Sequence, residues 1–109
     1  MDIKELTAEM NRFVQEKGWY DPQSLRPQTA RNLAISLVLE AAEVLEHFQW
    51  GEKAQSSAQL QDELADVALY LLQIASVSNI NLEEAVLSKL QKNYQRKWDN
   101  DQSNREVNQ

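Results

Sequence analysis

The hydrophobic residues of the chain recur at intervals of three and four positions, which is the spacing of an α-helix that buries one face. The first such segment runs from Ile3 to Lys17 and is followed by Gly18, a residue type that commonly ends helices. Residues 19–28 contain both prolines of the chain and predict a loop. The pattern therefore predicts one helix and a connecting loop at the start of the chain.

Three more helices are predicted after this loop. The second covers residues 29–50 and the third covers residues 58–77, with a polar linker between them. Asn81, followed by Glu84 three positions later, forms a capping pair for a fourth helix that reaches Trp98. Because the 109 residues include only two glycines and two prolines, we expect an all-α fold, a four-helix bundle.

The length and composition limit the class of protein. We expect one domain over residues 1–98, followed by a polar tail, residues 99–109, that lacks aliphatic periodicity and is predicted to be disordered. The absence of cysteine excludes disulfides and thiolate sites. No apolar run approaches the roughly 20 residues that span a bilayer, and the charged amino-terminal residues do not resemble a signal peptide. A cytoplasmic protein without membrane contact is expected.

The chain is acidic, and four of its carboxylates form two pairs. A net charge of −6 argues against a nucleic acid polymer as partner, because proteins that bind one carry basic surfaces. Glu40 and Glu43 lie three positions apart in the second predicted helix and so share one helix face. Glu63 and Asp66 have the same spacing in the third helix. Like charges at this spacing repel each other, and a cation would relieve the repulsion.

The two helices share a longer pattern, in which the second acid is followed four positions later by His47 or Tyr70. This short quasi-repeat predicts two similar helices that pack antiparallel with their acidic edges facing each other. His47 is predicted to be a hydrogen-bonded structural residue rather than a ligand.

Two interpretations of the four carboxylates stay open from the residues alone. Oxygen ligands suit a hard cation such as Mg²⁺, Mn²⁺ or Ca²⁺. Zinc would need His or Cys ligands beyond the one His present, and the Glu-x-x-His motifs of ferritin-like di-iron sites are absent. Alternatively, the acids form an ordinary solvated face, as glutamates on helices commonly do.

Cationic and amide side chains on the fourth helix are candidates for binding phosphate. Lys89, Asn93 and Lys97 share a face at intervals of four, and ammonium and amide donors suit phosphate oxygens. Cations near a helix C-terminus also favour the macrodipole, so a structural role is the alternative. Arg31, at the start of the second helix, is likewise a candidate phosphate partner or an ordinary surface residue.

Aromatic side chains could stack on a nucleobase or simply pack. Trp19, Trp50 and Tyr70 are the candidates for a stacking platform, which contributes about 1–3 kcal/mol per base. Packing is the alternative for each of them, because aromatic residues carry much of the energy of cores and interfaces. Trp98 is predicted to be a packing anchor.

Apolar stripes on the second and third helices are wider than two short neighbouring helices can cover, which predicts an oligomer. The stripe of the second helix consists of Leu33, Leu37, Val38, Ala41, Ala42, Leu45 and Phe48. The stripe of the third helix consists of Leu60, Leu64, Val67, Ala68, Leu71 and Ile74.

Several motifs then follow one another along the chain. They are Arg-Asn-Leu at 31–33, Glu-x-x-Glu-x-x-Glu at 40–46, Phe-Gln-Trp at 48–50, Asp-Glu-Leu-Ala-Asp-Val at 62–67, Asn-Leu-Glu-Glu-Ala-Val at 81–86 and Lys-x-x-x-Asn at 89–93. In this order they resemble the MazG-like all-α nucleoside triphosphate pyrophosphohydrolases, and among these the small single-domain dCTP pyrophosphatase group. The resemblance covers roughly residues 3–98.

The resemblance implies an all-helical, obligately oligomeric enzyme that depends on Mg²⁺, with Mn²⁺ as an alternative cation. It places Lys89 and Asn93 at the phosphates and the sugar, and it favours Trp50 as the stacking residue. Either Glu43 or Glu46 would accept a proton from the attacking water. The implied metal ligands are Glu40, Glu43, Glu63 and Asp66.

The sequence departs from the family pattern at two positions. Many members carry a further Glu where this chain has Leu39, and the dCTP-specific relatives carry a His near Gln28, which leaves the base identity open. The expected function is conversion of a (deoxy)nucleoside triphosphate to monophosphate and pyrophosphate by a homodimer or dimer-based tetramer. The alternatives are a non-catalytic acidic helical module, with or without a structural metal, and a nucleotide-binding regulator without turnover.

Overall fold

A computed structural model describes residues 1–96, and it is helical throughout with no strand in that range. The four helices are α1 (Ile3–Glu16), α2 (Ala30–Glu46), α3 (Ser57–Val77) and α4 (Leu82–Gln95). The all-α prediction is confirmed for this part of the chain. The predicted end of the fourth helix at Trp98, the role of Lys97 and the predicted tail over residues 99–109 lie outside the described residues.

Each helix begins at a side chain that accepts a hydrogen bond from a backbone amide of the first turn, which satisfies one of the free donors there. Asp2 and Glu5 do so reciprocally at α1, in a capping box. At α4 the predicted cap is present, since the Asn81 side chain accepts from the Glu84 amide. The caps of α2 and α3 are Thr29 and Ser56.

Helix α2 is shorter than its sequence pattern predicts. It ends at Glu46 rather than at Trp50, so the predicted boundary is wrong. The amides of His47, Phe48 and Gln49 donate to carbonyls three residues earlier, which tightens the chain into turns. His47, the first residue after the helix, is buried at the start of these turns.

Helices α2 and α3 pack along each other and form the most extensive contact between elements in the described chain. The pair is antiparallel, because His47 at the end of α2 contacts Glu63 early in α3, and Gln28 just before α2 contacts Gln73 late in α3. The predicted antiparallel arrangement of α2 and α3 is therefore confirmed. Helix α1 packs on α3, and α4 packs on α1.

The buried core of this single chain is small. Its main cluster is formed by Met10 and Val14 of α1 with Leu72 of α3. Leu33 of α2, which is 2% exposed, is the largest fully buried side chain. Among residues 1–96, no helix combines the length and the apolar character that a bilayer crossing requires.

Much of each predicted apolar stripe remains exposed in this single chain, although Leu33, the buried residue of α2, belongs to its predicted stripe. On α3 the buried residues are Leu72, Gln73 and Ala75, because α1 covers that side of the helix as well. The apolar stripe residues that stay exposed on α2 and α3 are Val38, Ala41, Ala42, Leu45, Phe48, Leu64, Ala68 and Leu71.

The small core makes its central residue important for stability. Leu33→Ala should lower the free energy of unfolding by about 2–5 kcal/mol, because it removes buried methyl groups and leaves a cavity. The matched control is Leu25→Ala, since Leu25 is 98% exposed and should change stability by less than about 0.5 kcal/mol. Urea unfolding followed by circular dichroism at one protein concentration measures both, and equal effects would contradict the assigned core.

Candidate functional site

The antiparallel pairing of α2 and α3 gathers four carboxylates, here called the acidic cluster: Glu40, Glu43, Glu63 and Asp66. Partial burial raises the pKa of Glu40 above its usual value, and the charges of Glu43, Asp66 and Glu63 raise it further. All three neighbours therefore lie close enough to repel Glu40. The acidic edges of the two helices face each other, as the quasi-repeat predicts.

A histidine stands beside the acidic cluster. His47 Nε2 lies 2.6 Å from Glu63 Oε1, and the His47 side chain is 6% exposed. The two atoms are close but poorly aligned for a hydrogen bond, and His47 Nδ1 has no hydrogen-bond partner within the described residues. His47 thus contacts a carboxylate of the cluster, but the hydrogen bond predicted for it is not formed within the described residues.

The chemistry of the cluster fits a hard divalent cation. Its donors are all carboxylate oxygens, which Mg²⁺ and Mn²⁺ prefer, and their mutual repulsion at Glu40 is the kind that a cation relieves. Within residues 1–96, however, no three His, Asp or Glu side chains converge on one point as finished metal ligands do. The cluster therefore supplies the charge and the donor type, and its side chains would have to rotate to close around an ion.

Next to the cluster lies a cavity of about 730 Å³, bounded by α1, the loop over residues 17–29, the start of α2 and the second half of α3. Its walls are mainly apolar, with Met10, Leu33 and Leu69 among the side chains that line it. Volume and lining are those of a small-molecule site, in which a few polar groups fix the orientation of the ligand.

Asp66 belongs to both the acidic cluster and the cavity wall, and Tyr70 lines the same wall one turn further along α3. A ligand in the cavity would therefore reach a carboxylate of the cluster at one end. Of the site residues and stacking candidates predicted from the sequence, Asp66, Tyr70 and Trp19 line the cavity.

Of the two tryptophans predicted as stacking candidates, Trp19 lines the cavity and Trp50 does not. Trp19 meets Phe13 edge to face, with ring centroids 5.7 Å apart, and both line the cavity. The Arg26 guanidinium lies 5.6 Å from the centre of the Trp19 ring. Trp50 is 81% exposed in the turns after α2 and does not line the cavity.

The other predicted site residues lie apart from the cavity in this chain. Arg31 is exposed at the start of α2, and its guanidinium contacts Asn32 with an N···O distance of 3.2 Å. Lys89 is exposed and Asn93 half-buried on α4, which packs on α1. Glu46, one turn beyond Glu43, is exposed at the end of α2.

Polar residues that the sequence pattern did not single out lie in the cavity wall and beside it. Gln73 and Gln28 line the cavity, whereas Tyr20 and Asn11 do not. Gln73 is 4% exposed, and its Nε2 donates to Gln28 Oε1 over 2.7 Å. Tyr20 Oη donates to Asn11 Oδ1 over 2.6 Å, and burial raises the pKa of Tyr20. The signal available in the sequence was Gln73 itself, an amide within an otherwise apolar stretch of α3.

Comparison with known proteins agrees with this architecture. Residues 35–108 match the MazG-like family. The dCTP pyrophosphatase 1 proteins of Rattus norvegicus and Homo sapiens are 38% identical to the chain over 104 residues, and the alignments cover 87% of this chain. The chain spans 56% of the length of each of these relatives, little more than half.

A solved structure is similar as well. The crystal structure of a pyrophosphatase from Archaeoglobus fulgidus DSM 4304 superposes with a TM-score of 0.68 at 36% sequence identity, and covers 85% of this chain and 89% of that chain. The family match over residues 35–108 includes all of α3 and α4 and residues 35–46 of α2. The chain therefore belongs to the MazG-like family.

Proposed function

We propose that the chain is a Mg²⁺-dependent nucleotide pyrophosphohydrolase that converts a deoxynucleoside triphosphate to its monophosphate and pyrophosphate. The observation that carries the proposal is the position of Asp66, which joins the acidic cluster to an apolar cavity of nucleoside size. The names of the relatives, dCTP pyrophosphatase and pyrophosphatase, support the same reaction class and make dCTP the first substrate to test.

The acidic cluster is proposed to hold the cation, with Mg²⁺ preferred and Mn²⁺ as an alternative. When bound there, the ion would polarise the phosphate and lower the pKa of an attacking water. Closure of the carboxylates around it would remove the repulsion that raises the pKa of Glu40. His47 would keep Glu63 in place during this closure, as groups behind metal ligands do.

The remaining steps fall to other side chains of the chain. Glu43 or Glu46 would accept the proton of the water, since both lie exposed at the end of α2 near the cluster. Lys89 and Asn93 are proposed to bind the phosphates and the sugar, and Arg31 is a further phosphate partner. The base would occupy the cavity.

Within the cavity, Tyr70 and Trp19 would bound the base, and the Arg26 guanidinium already lies over the Trp19 ring. Trp50, exposed in this chain, stays a candidate to cover the base from a neighbouring subunit. Aromatic faces suit this role because every base presents a π-face.

Assembly into a homodimer or dimer-based tetramer is part of the proposal. It is supported by the wide apolar surface that α2 and α3 leave exposed, for which Val38 at 66% and Leu45 at 71% exposure are examples. Subunits pairing across this surface could also bring Lys89 and Asn93 of one chain to the acidic cluster of another. A cytoplasmic location fits the proposed substrate.

The first prediction concerns the products. With Mg²⁺ and each common dNTP, chromatography should show nucleoside monophosphate and pyrophosphate. Glu40→Gln should lower turnover by at least about two orders of magnitude, because the cation and the water both depend on it. Lys89→Ala should cost less, about 10- to 100-fold, through weaker binding of the phosphate charge.

The control for these variants is Glu52→Gln, which removes an exposed carboxylate outside the cluster and should keep full activity. A diphosphate as the main product would contradict the proposed position of attack. No product from any nucleotide would favour a non-catalytic helical module or a nucleotide-binding regulator.

The second prediction concerns stability. Because its folded-state pKa is raised, Glu40 stabilises the fold only while protonated, below its unfolded pKa of about 4.3, and this contribution is lost as the pH rises through the folded-state value. Glu40→Gln should therefore raise the melting temperature in EDTA at pH 7, and this gain should vanish near pH 4. Mg²⁺ should raise the melting temperature of the wild type and not of the variant.

Thermal unfolding by circular dichroism, with EDTA or millimolar Mg²⁺, measures these effects, and Glu52→Gln again serves as the control. A wild type that melts at the same temperature under both conditions would argue against a cation site.

The third prediction concerns assembly. Light scattering at micromolar concentration should give a mass of two or four chains. Val38→Glu with Leu45→Glu should shift the mass towards one chain, because charges would be placed in an apolar interface, whereas Glu52→Gln should leave it unchanged. A wild type that is monomeric at this concentration would overturn the proposed assembly.

A further inference from the structure

The least expected residue of the cavity is Gln73. Its side chain lies on α3, is 4% exposed and lines a cavity whose neighbouring walls are apolar. A buried amide is costly unless its donor and acceptor groups are satisfied, so each of its groups calls for a partner.

The orientation of this amide is fixed by a short relay of hydrogen bonds. Gln28 Nε2 donates to the backbone carbonyl of Arg26 over 2.7 Å, and a carbonyl can only accept. The Oε1 atom of Gln28 must therefore face Gln73. Gln73 Nε2 donates to this oxygen over 2.7 Å. The backbone carbonyl of Arg26 thereby fixes the orientation of the Gln73 amide, with its nitrogen towards Gln28.

The Tyr20 phenol lies beside Gln73. Burial raises the pKa of this phenol, and its contact with the Gln73 amide partly offsets the rise. Tyr20 in turn donates to Asn11, and Asn11 donates to Ser76 Oγ over 2.9 Å. The Gln73 amide nitrogen is therefore engaged by Gln28, next to a chain of hydrogen bonds that joins α1 to α3.

What the cavity can offer a ligand at this point is the remaining oxygen. None of the hydrogen bonds found in residues 1–96 uses Gln73 Oε1. The hydrogen bond to Gln28 thus commits the amide nitrogen of Gln73 and leaves its oxygen as the open acceptor, whereas an unconstrained amide could turn and present either group.

We infer that Gln73 Oε1 accepts a hydrogen bond from the exocyclic amino group of the nucleobase, and that Gln28 holds it in that orientation. The site then selects cytosine or adenine over the keto bases of the same size, uracil or thymine and hypoxanthine. This inference rests on the proposed function only for placing the base in the cavity. A keto base would set its own carbonyl oxygen against Gln73 Oε1, with no proton between them.

The cleanest comparison is between cytosine and uracil, since dCMP and dUMP differ at position 4 and in the protonation of N3. Binding of each monophosphate to the full chain, measured by isothermal titration calorimetry, needs no turnover. Wild type should bind dCMP about 10- to 100-fold more tightly than dUMP, the range expected for one unmatched buried polar group. The ratio of kcat/KM for dCTP to kcat/KM for dUTP should show the same preference for cytosine.

Two variants separate recognition from folding. Gln73→Met keeps the length of the side chain without the acceptor. It should weaken the binding of dCMP and so bring the affinities for dCMP and dUMP to within about threefold of each other. Gln28→Met leaves Gln73 in place but frees its amide to rotate, and it should narrow the affinity ratio by strengthening the binding of dUMP. Gln61→Met, on the exposed side of α3 and away from the cavity, should keep the wild-type ratio.

The outcomes are distinct from those that test the reaction. Equal binding of dCMP and dUMP by wild type, no binding of either at millimolar concentration, or a folded Gln73→Met that keeps the wild-type ratio would each overturn the inference. Selective binding without hydrolysis of any triphosphate would support the inference while contradicting the proposed function. Hydrolysis without base selectivity would support the proposed function and contradict the inference.

Discussion

Repulsion among the carboxylates that α2 and α3 bring together is the constraint on which the site depends. Two helices that carry acids at the same spacing pack antiparallel, and the charges meet at Glu40, whose pKa is raised by partial burial and by its neighbours. The folded chain without a cation thus contains an unfavourable charge cluster next to a small core. A cation that binds only the folded state would both stabilise the fold and complete the site.

The same pairing of helices defines the cavity. Because α3 continues past the acidic cluster, Asp66 and Tyr70 form one wall, and the chain entering α2 supplies Gln28 opposite Gln73. The hydrogen bonds that end at Ser76 tie α1 and the loop to the same part of α3. The proposed cation site and the proposed base site therefore lie at a fixed separation along α3.

The sequence predicted the helices, the cap of α4 and the facing acidic edges, because these depend on spacing within one or two helices. The end of α2 was missed, because the helix gives way to turns at His47, a buried residue, before the glycine that marks a stop. The buried face of α3 was also missed, because α1 packs on a side of the helix that lies outside the predicted apolar stripe. The role of Gln73 was missed because it depends on a long-range contact, the hydrogen bond to Gln28. Trp19 was one of the stacking candidates, but that it and not Trp50 lines the cavity depends on the loop between α1 and α2.

The most direct test of this account is a crystal of the protein grown with Mn²⁺ and a dCTP analogue whose α,β-bridging oxygen is replaced by nitrogen. The account predicts an anomalous Mn²⁺ peak between α2 and α3, within about 2.5 Å of carboxylate oxygens of the acidic cluster. It also predicts the cytosine amino group at Gln73 Oε1. An ordered nucleotide with no Mn²⁺ peak at these carboxylates, or a peak bound elsewhere on the chain, would contradict it.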